Sequence, residues 1–561
     1  MNERSSLYWK IAYGAGIALL MLPLAWLSAP ATATSQGGKL AELRKENRLA
    51  QANLGEVDPA SETIKLATLG LRGIAVNLLW EKANYYKMTE DWTNLTATLE
   101  QLAKLQPNFI TFWKFQAWNL SYNVSVEFDD YHDRYYYVRR GIEFLTEGER
   151  HNTDNPQLLW DLGWFVGQKI GRADEHVQYR RLFKEDDDFH PSDRSPDQRD
   201  NWLVGKEWYL KGVDAVNNKS QSIGRKSPRI FFSSPAMSQI NYADAIEEEG
   251  AFEKARRAWV KAADEWRQFG ELVIEHSTGV PLHLGEPKRL EKVVAELRAK
   301  LDAILPTARE QLKKDKRDAL TSEERQLLDL PTEQLKPEQY GQLSDVKGKV
   351  VVTDRDVAER IAHEKPEEAN NALKLASELQ REELRLDYTK NYRRDSNYDY
   401  WETRCAFEQT PNALEAREKM FLAKQAFRDK QDLNSAKRLY DEGFAKWKLV
   451  IDEFPSILNE DATTGDDLLD YIKGYRKVLD QLEETIGEDF PLWVIIEKFD
   501  KEQQFTEDLS RHQQLKSGGT VAPPPTPTEA EPSPVADGAK TPSTEAPATP
   551  AVDDAAAPPK K

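Results

Sequence analysis

Apolar residues recur every three to four positions through three successive runs, LRGIAVNLLWEKANYYK from Leu71, MTEDWTNLTATLEQLAKLQPNF from Met88, and ITFWKFQAWNLSYN ending at Asn123. That period marks amphipathic helices. Pro59 and Ser61 supply start signals for the first helix. Ile64, Leu71, Leu78 and Leu79 recur along it at helical spacing, and Ala83 and Tyr86 continue the stripe, so this set is expected to face the core. In the next helix Leu95, Leu99, Leu102 and Leu105 share one face. Pro107 ends it, because proline lacks the backbone donor and clashes with the preceding turn.

The same period returns further on. Residues Lys288 to Leu305 place Leu290, Val294, Leu297, Leu301 and Ile304 in register, and Pro366 to Tyr392 carries Ala372, Leu375, Ala376, Leu379 and Leu386 on one narrow side. Such a stripe suits a coiled-coil seam or a helix packed on its neighbours. Asn412 to Pro455 reads as a helical pair with Ala436, Tyr440, Phe444 and Trp447 on the packed face, and further helices run from Asp466 to about Lys501. Val350-Val351-Val352 is the one expected short strand. After Leu515 the chain turns to Pro, Ala, Thr and Glu. Without large apolar side chains, residues 516–561 cannot offset their ordering entropy and are expected to be disordered.

The N-terminus has a different pattern. Ile11 to Leu27 holds no charge, Arg4 and Lys10 precede it, and Tyr8, Trp9 and Trp26 flank it. Residues 11–33, after a short leading segment 1–10, are read as a transmembrane helix that anchors the chain. A signal peptide cleaved near Ala31-Thr32-Ala33 is the competing reading. The basic residues before the apolar run favour a single-pass protein with its bulk outside the cytoplasm.

Counting back from Pro107 places Ala83 and Tyr86 at a small and an aromatic position of one unit. Trp113, Ala117 and Leu120 occupy comparable positions in the next. From Ile240 to Trp266, INYADAIEEEGAFEKARRAWVKAADEW sets Ala243, Gly250, Ala255, Trp259 and Ala262 in one register. On these residues the chain resembles the tetratricopeptide repeat family, whose unit of about 34 residues is a helix-turn-helix with small residues at the helix contact. The spacing is broken by insertions, SVEFDDYHDR around Asp129 and a longer one before Trp202. The resemblance implies an all-α protein: a superhelical array of antiparallel helix pairs, an α-solenoid, over residues 39–270. A charged, coiled-coil-like segment at 286–392 and a C-terminal repeat region at 411–515 would follow.

Composition narrows the function. A formal charge of −18 argues against a nucleic-acid binder, which needs a positive footprint. Cys405 is the only cysteine, so neither an intramolecular disulfide nor a cysteine zinc site is possible. No phosphate loop, zinc-protease helix, EF-hand loop or nucleophile elbow occurs, so no catalytic residue, cofactor, metal or small-molecule substrate is assigned. Two acidic clusters, Glu127, Asp129, Asp130, His132 and Asp133, and Asp186, Asp187, Asp188, His190 and Asp193, have the hard oxygens of a divalent-cation site. The simpler reading is a solvated loop.

Trp113, Trp118, Trp160 and Trp164 fall in adjacent units, and AWNLSYN sets Asn119, Tyr122 and Asn123 in an apolar run. These seven residues are the candidate partner-binding set, although Trp rings at repeat positions also fill gaps between helices. The expectation is a membrane-anchored scaffold holding a protein or peptide on its concave face. One alternative is a helical-toroid glycan-binding or glycan-active protein. Another is an envelope protein that self-associates through residues 366–392.

Overall fold

Short capping signals divide the chain into helices. Asp91, Asp130, Asn155, Asp200, Thr410 and Asp432 each accept a backbone N–H in the first turn of the helix they precede. Each such cap is worth about 1 kcal/mol. The computed structural model describes residues 72–516 except 332–333 and 460–462, together with Gly16, Leu19, Pro23, Gly38, Lys39 and Glu42. Apart from Gly16, Leu19 and Pro23, the anchor read at 11–33 lies outside the described residues, as does the tail from residue 517. No helix among the described residues is long and apolar enough to cross a membrane.

The described residues are helical almost throughout. It divides into one unit ending at Gln503 and a second beginning at Gln504, of which helix α21 (Thr506–Lys516) is described. The first unit opens with α1 (Arg72–Met88), α2 (Trp92–Leu105), α3 (Ile110–Trp118), α4 (Tyr131–His151) and α5 (Pro156–Trp164). It continues through α6 (His176–Glu185), α7 (Asn201–Lys219), α8 (Pro228–Glu248) and α9 (Phe252–Glu271). Neighbours in sequence are neighbours in space: α1 packs on α2, and contacts run on in order through α3, α4, α5, α7, α8 and α9. The stripe Leu95, Leu99, Leu102 and Leu105 is buried as its period predicts. Ala243, Ala255, Trp259 and Ala262 are fully buried where α8 meets α9, the alanines letting the two axes approach around the indole.

After α9 a two-residue β-hairpin, β1 (Ile274–Glu275) with β2 (Pro281–Leu282), pairs Ile274 with Leu282. The chain then forms α10 (Pro287–Ile304), α11 (Ala308–Asp318), α12 (Ser322–Asp329), α13 (Gln339–Val350), α14 (Asp354–Glu364) and α15 (Ala369–Asp395). These helices have a core of their own, in which Leu290 and Leu301 of α10 meet Val357 and Ile361 of α14 and Leu379 of α15. The stripe Ala372, Ala376, Leu379 and Leu386 is therefore covered within the chain. Two further corrections concern side chains and strands. Val350 ends a helix, and the strands lie at Ile274 and Pro281 instead. Leu78 is 62% exposed, because Val76, Leu79, Trp80, Ala83 and Tyr86 form the face of α1 that packs.

The chain returns to α9 with α16 (Tyr398–Glu408), followed by α17 (Pro411–Arg428), α18 (Leu433–Glu453), α19 (Thr463–Gln481) and α20 (Trp493–Phe499). The splice is aromatic. Trp266 stacks on Tyr398 with centroids 5.4 Å apart and donates its indole N–H to the Tyr398 carbonyl at 3.2 Å. Ala436, Tyr440, Phe444 and Trp447 fill the joint beneath α18.

Gly148 allows a close approach of α4 to the Trp113 ring of α3. A Cβ there would lie 2.5 Å from Trp113 Cγ. Overpacking of this kind costs about 1–3 kcal/mol, more than the roughly 1 kcal/mol by which alanine favours a helix over glycine. Gly148→Ala is expected to lower the urea midpoint. An unchanged midpoint would show that the Trp113 ring yields freely.

Candidate functional site

Two helices of the first unit widen at the same point of their course. After Trp118, α3 passes into a π-helical stretch, Asn119–Val124; after Trp164, α5 passes into another, Phe165–Lys169. The wider turn changes which side chains share a face, and π-turns recur at functional sites. Each helix carries an aromatic pair four residues apart next to its wide turn. Trp118 stacks on Tyr122 at 5.7 Å and 17°, and Trp160 stacks on Trp164 at 5.5 Å and 16°.

The pairs join. Trp164 has a side-chain hydrogen bond to Tyr122, with the indole as the only donor tryptophan has, and Tyr122 meets Phe165 edge-on at 5.7 Å. Burial pushes the Tyr122 hydroxyl up to about 12. The result is a continuous strip, Trp118–Tyr122–Trp164–Trp160, that grades from 43% exposure at Trp118 to 8% at Trp160. Its buried end is held by Trp160 Nε1, which donates to Ser234 Oγ of α8 at 2.9 Å, and by Tyr209 of α7 at 5.7 Å.

Two lysines lie over the rings. Lys226 Nζ sits 3.6 Å from the Trp160 centroid and is paired at 2.8 Å with Asp161, a buried carboxylate that Lys114 also reaches at 3.1 Å. Lys169 Nζ sits 4.6 Å from the Tyr122 centroid. Burial pulls its ammonium below the ordinary lysine value, against a weaker opposing pull from Glu175. Among the described residues no carboxylate lies within ion-pair distance of Lys169. Within the π-helical stretch that carries Tyr122, Asn123 donates to Asn119 Oδ1 at 3.0 Å. Asn119 Nδ2, fully buried, meets no acceptor among the described residues.

Four of the seven candidate residues thus form this strip, Trp118, Tyr122, Trp160 and Trp164, and Asn119 and Asn123 share the π-helical stretch that carries Tyr122. Trp113 does not. Its ring is buried, donates to the Pro107 carbonyl at 2.8 Å, and packs on Phe144 and His151. It borders a cavity of about 170 Å³ that Glu100, Lys104, Glu147 and His151 also line. That cavity holds two carboxylates, but its only indole is too covered to offer a stacking face. Sequence reasoning missed Lys169, Lys226 and Asp161. Their charges look like ordinary solvated positions until the fold sets them against the rings.

The acidic clusters are spent locally. Asp130 caps α4 through the His132 N–H at 2.7 Å, and Asp186 accepts from Tyr135 at 2.9 Å and Arg139 at 3.2 Å. Asp187 pairs with Arg199 at 2.6 Å, and buried His190 bonds the Phe183 carbonyl at 2.7 Å. Among the described residues no group of side chains is arranged to hold a metal ion.

A second polar centre, unforeseen in the sequence, is buried where α8, α16, α17 and α19 meet. Arg417 binds Glu408 at 2.5 Å, Glu247 at 3.1 Å and the Tyr471 hydroxyl at 3.3 Å. Arg404 pairs with Asp244 at 2.6 Å and stands 3.5 Å from Glu408, and Trp259 Nε1 donates to Glu247 at 3.1 Å. Burial first, and the neighbouring Glu408 second, push the Glu247 carboxyl up to about 8. With every partner supplied from inside, this centre is a structural lock.

Comparison with family models, curated proteins and solved structures finds no match for this chain. What fold and site define together is an all-α protein with an aromatic strip crossed by lysines.

Proposed function

We propose that this chain is a membrane-anchored scaffold, a tetratricopeptide-like array of antiparallel helix pairs, that binds a protein or peptide partner along the strip from Trp118 to Trp160. The carrying observation is the union of stacked rings with a half-buried, unpaired Lys169 on two consecutive units. Aromatic side chains dominate binding energy where they are held rigidly and desolvated. A partly desolvated lysine with no carboxylate in ion-pair contact favours a partner segment that brings an acidic group. The anchor at 11–33 would set this strip beside the membrane, on its extracytoplasmic side.

The glycan reading keeps one observation of its own. The stacked pairs Trp118–Tyr122 and Trp160–Trp164 also suit the face of a sugar ring. The two readings separate in one experiment. Full-length protein from native membranes should retain a stoichiometric polypeptide. Lys169→Gln should weaken that partner about tenfold, the equivalent of one charge-assisted hydrogen bond. Retention of no polypeptide, together with binding on a glycan array, would reverse the assignment.

A further inference from the structure

The cavity beside Trp113 is built by α2, α3 and α4, and no residue of the strip lines it. Glu100, Ala103 and Lys104 reach it from one face of α2, and Phe144, Glu147 and His151 from one face of α4. In both sets the spacing of three and four residues is what puts the side chains together. Trp113 and Phe144 are buried and form the floor. Glu147 and Lys104 are exposed and Glu100 partly so, which sets them at the mouth. At about 170 Å³ the space compares with the roughly 150 Å³ that holds a benzene ring in a protein interior.

The walls are fixed before anything enters. Trp113 Nε1 donates to the Pro107 carbonyl at 2.8 Å, and the Asn152 amide donates to the same oxygen at 2.7 Å. Asn108 donates to the His151 carbonyl at 3.0 Å, which ties the end of α4 to the turn before α3. The indole meets Phe144 at 4.7 Å and stacks on His151 at 5.7 Å. A pocket held in this way loses little freedom when a ligand binds.

The charges at the mouth choose the ligand. Glu100 has counter-charges at hand, since Lys104 follows one turn later on α2 and Arg140 reaches it at 3.9 Å. Among the described residues no basic side chain lies within ion-pair distance of Glu147. An uncompensated carboxylate above an apolar floor favours one positive charge on an apolar body. A ligand carboxylate would meet two groups of its own sign and a single lysine. A metal ion is not favoured either, since no group of described side chains is arranged to hold one.

We infer that this cavity binds a small organic ammonium ion, with its head at Glu147 and its apolar body against Trp113 and Phe144. Lys104, at the same mouth, opposes a second positive charge, so a monovalent amine is preferred to a diamine.

Benzylammonium, benzyl alcohol and benzoate share one ring and differ in the charge of the head, which makes them the probes. Calorimetric titration of the full-length protein should show saturable binding of benzylammonium. It should bind at least about tenfold tighter than benzyl alcohol, the equivalent of one charge-assisted hydrogen bond, with benzoate weakest. Glu147→Gln should remove that preference. Lys104→Gln should tighten benzylammonium several-fold by taking away a like charge. Both residues are exposed, so the urea midpoint should hold in each variant. No saturable binding of benzylammonium, or equal affinity for the alcohol, would overturn the proposal. A preference for the ammonium that survives Glu147→Gln would overturn it as well.

Discussion

Replacing Arg417 with methionine should destabilise the protein by about 3–5 kcal/mol, the usual result of removing one partner from a buried ion pair. Arg417 is the shared counter-charge of Glu247 and Glu408, both almost wholly buried, and its guanidinium lies 4.9 Å from the Trp447 ring centre. Methionine can fill much of the space but takes the nearest cation from both carboxyls, leaving Glu408 only Arg404 at 3.5 Å in a low-dielectric pocket. Urea unfolding of the two proteins at neutral pH gives the difference directly. A loss under 1 kcal/mol would mean that water enters the junction and the centre is no lock.

The same centre makes a pH prediction of defined sign. Glu247 in the folded chain binds its proton up to about pH 8, whereas its ordinary value is 4.5. Below 4.5 both states are protonated, and the group's favourable contribution is fully present. As the pH rises from 4.5 towards 8 the unfolded chain gives up the proton first, so stability falls across that window, and above it the contribution is gone. Glu247→Gln cannot titrate and should flatten this part of the stability profile. Its own cost should be small at neutral pH, where the native carboxyl is largely uncharged. An unaltered slope would place the titration elsewhere.

Removing one tryptophan from each stacked pair, exposed Trp118→Ala with partly buried Trp164→Ala, should abolish partner retention. Central aromatic anchors commonly cost 2 kcal/mol or more each on truncation, so the pair should weaken binding by at least about a hundredfold. The fold should survive the first change, since Trp118 stands 43% exposed at the strip's open end. Trp164 also holds Tyr122 and Trp160, so unfolding of the double variant must be measured beside binding. Loss of binding with an unchanged unfolding midpoint supports the strip as the contact. Full retention would move the partner to another face.

Much of this was legible in the chain because it depends on local period. The α2 stripe, the small residues between α8 and α9, and the packed face of α18 are set by residues three and four apart, which share a helix face whatever the tertiary context. That the rings from Trp118 to Trp164 would find aromatic neighbours was legible for a related reason, since bulky rings set in apolar runs pack against one another.

Long-range and orientational features were not legible. Periodicity reports that a helix has an apolar side, but α1 carries Leu78 away from its packed face, and only the position of α2 and α3 chose Val76 and Ala83 over Leu78. Trp113 and Trp118 lie five residues apart, and the helix's turn sends one ring into the core and the other to the surface. Lys169 reaches Tyr122 only across the wide turns of α3 and α5, and Arg417 meets Glu247 only where α8 and α17 converge. Within the described residues the sequence by itself determined most of the helices and many of their buried faces, since capping and apolar period act within a turn or two. The tertiary structure alone decided the excursion from α10 to α15, the return of α16 to α9 and which charges became buried, because those depend on contacts between residues far apart in the chain.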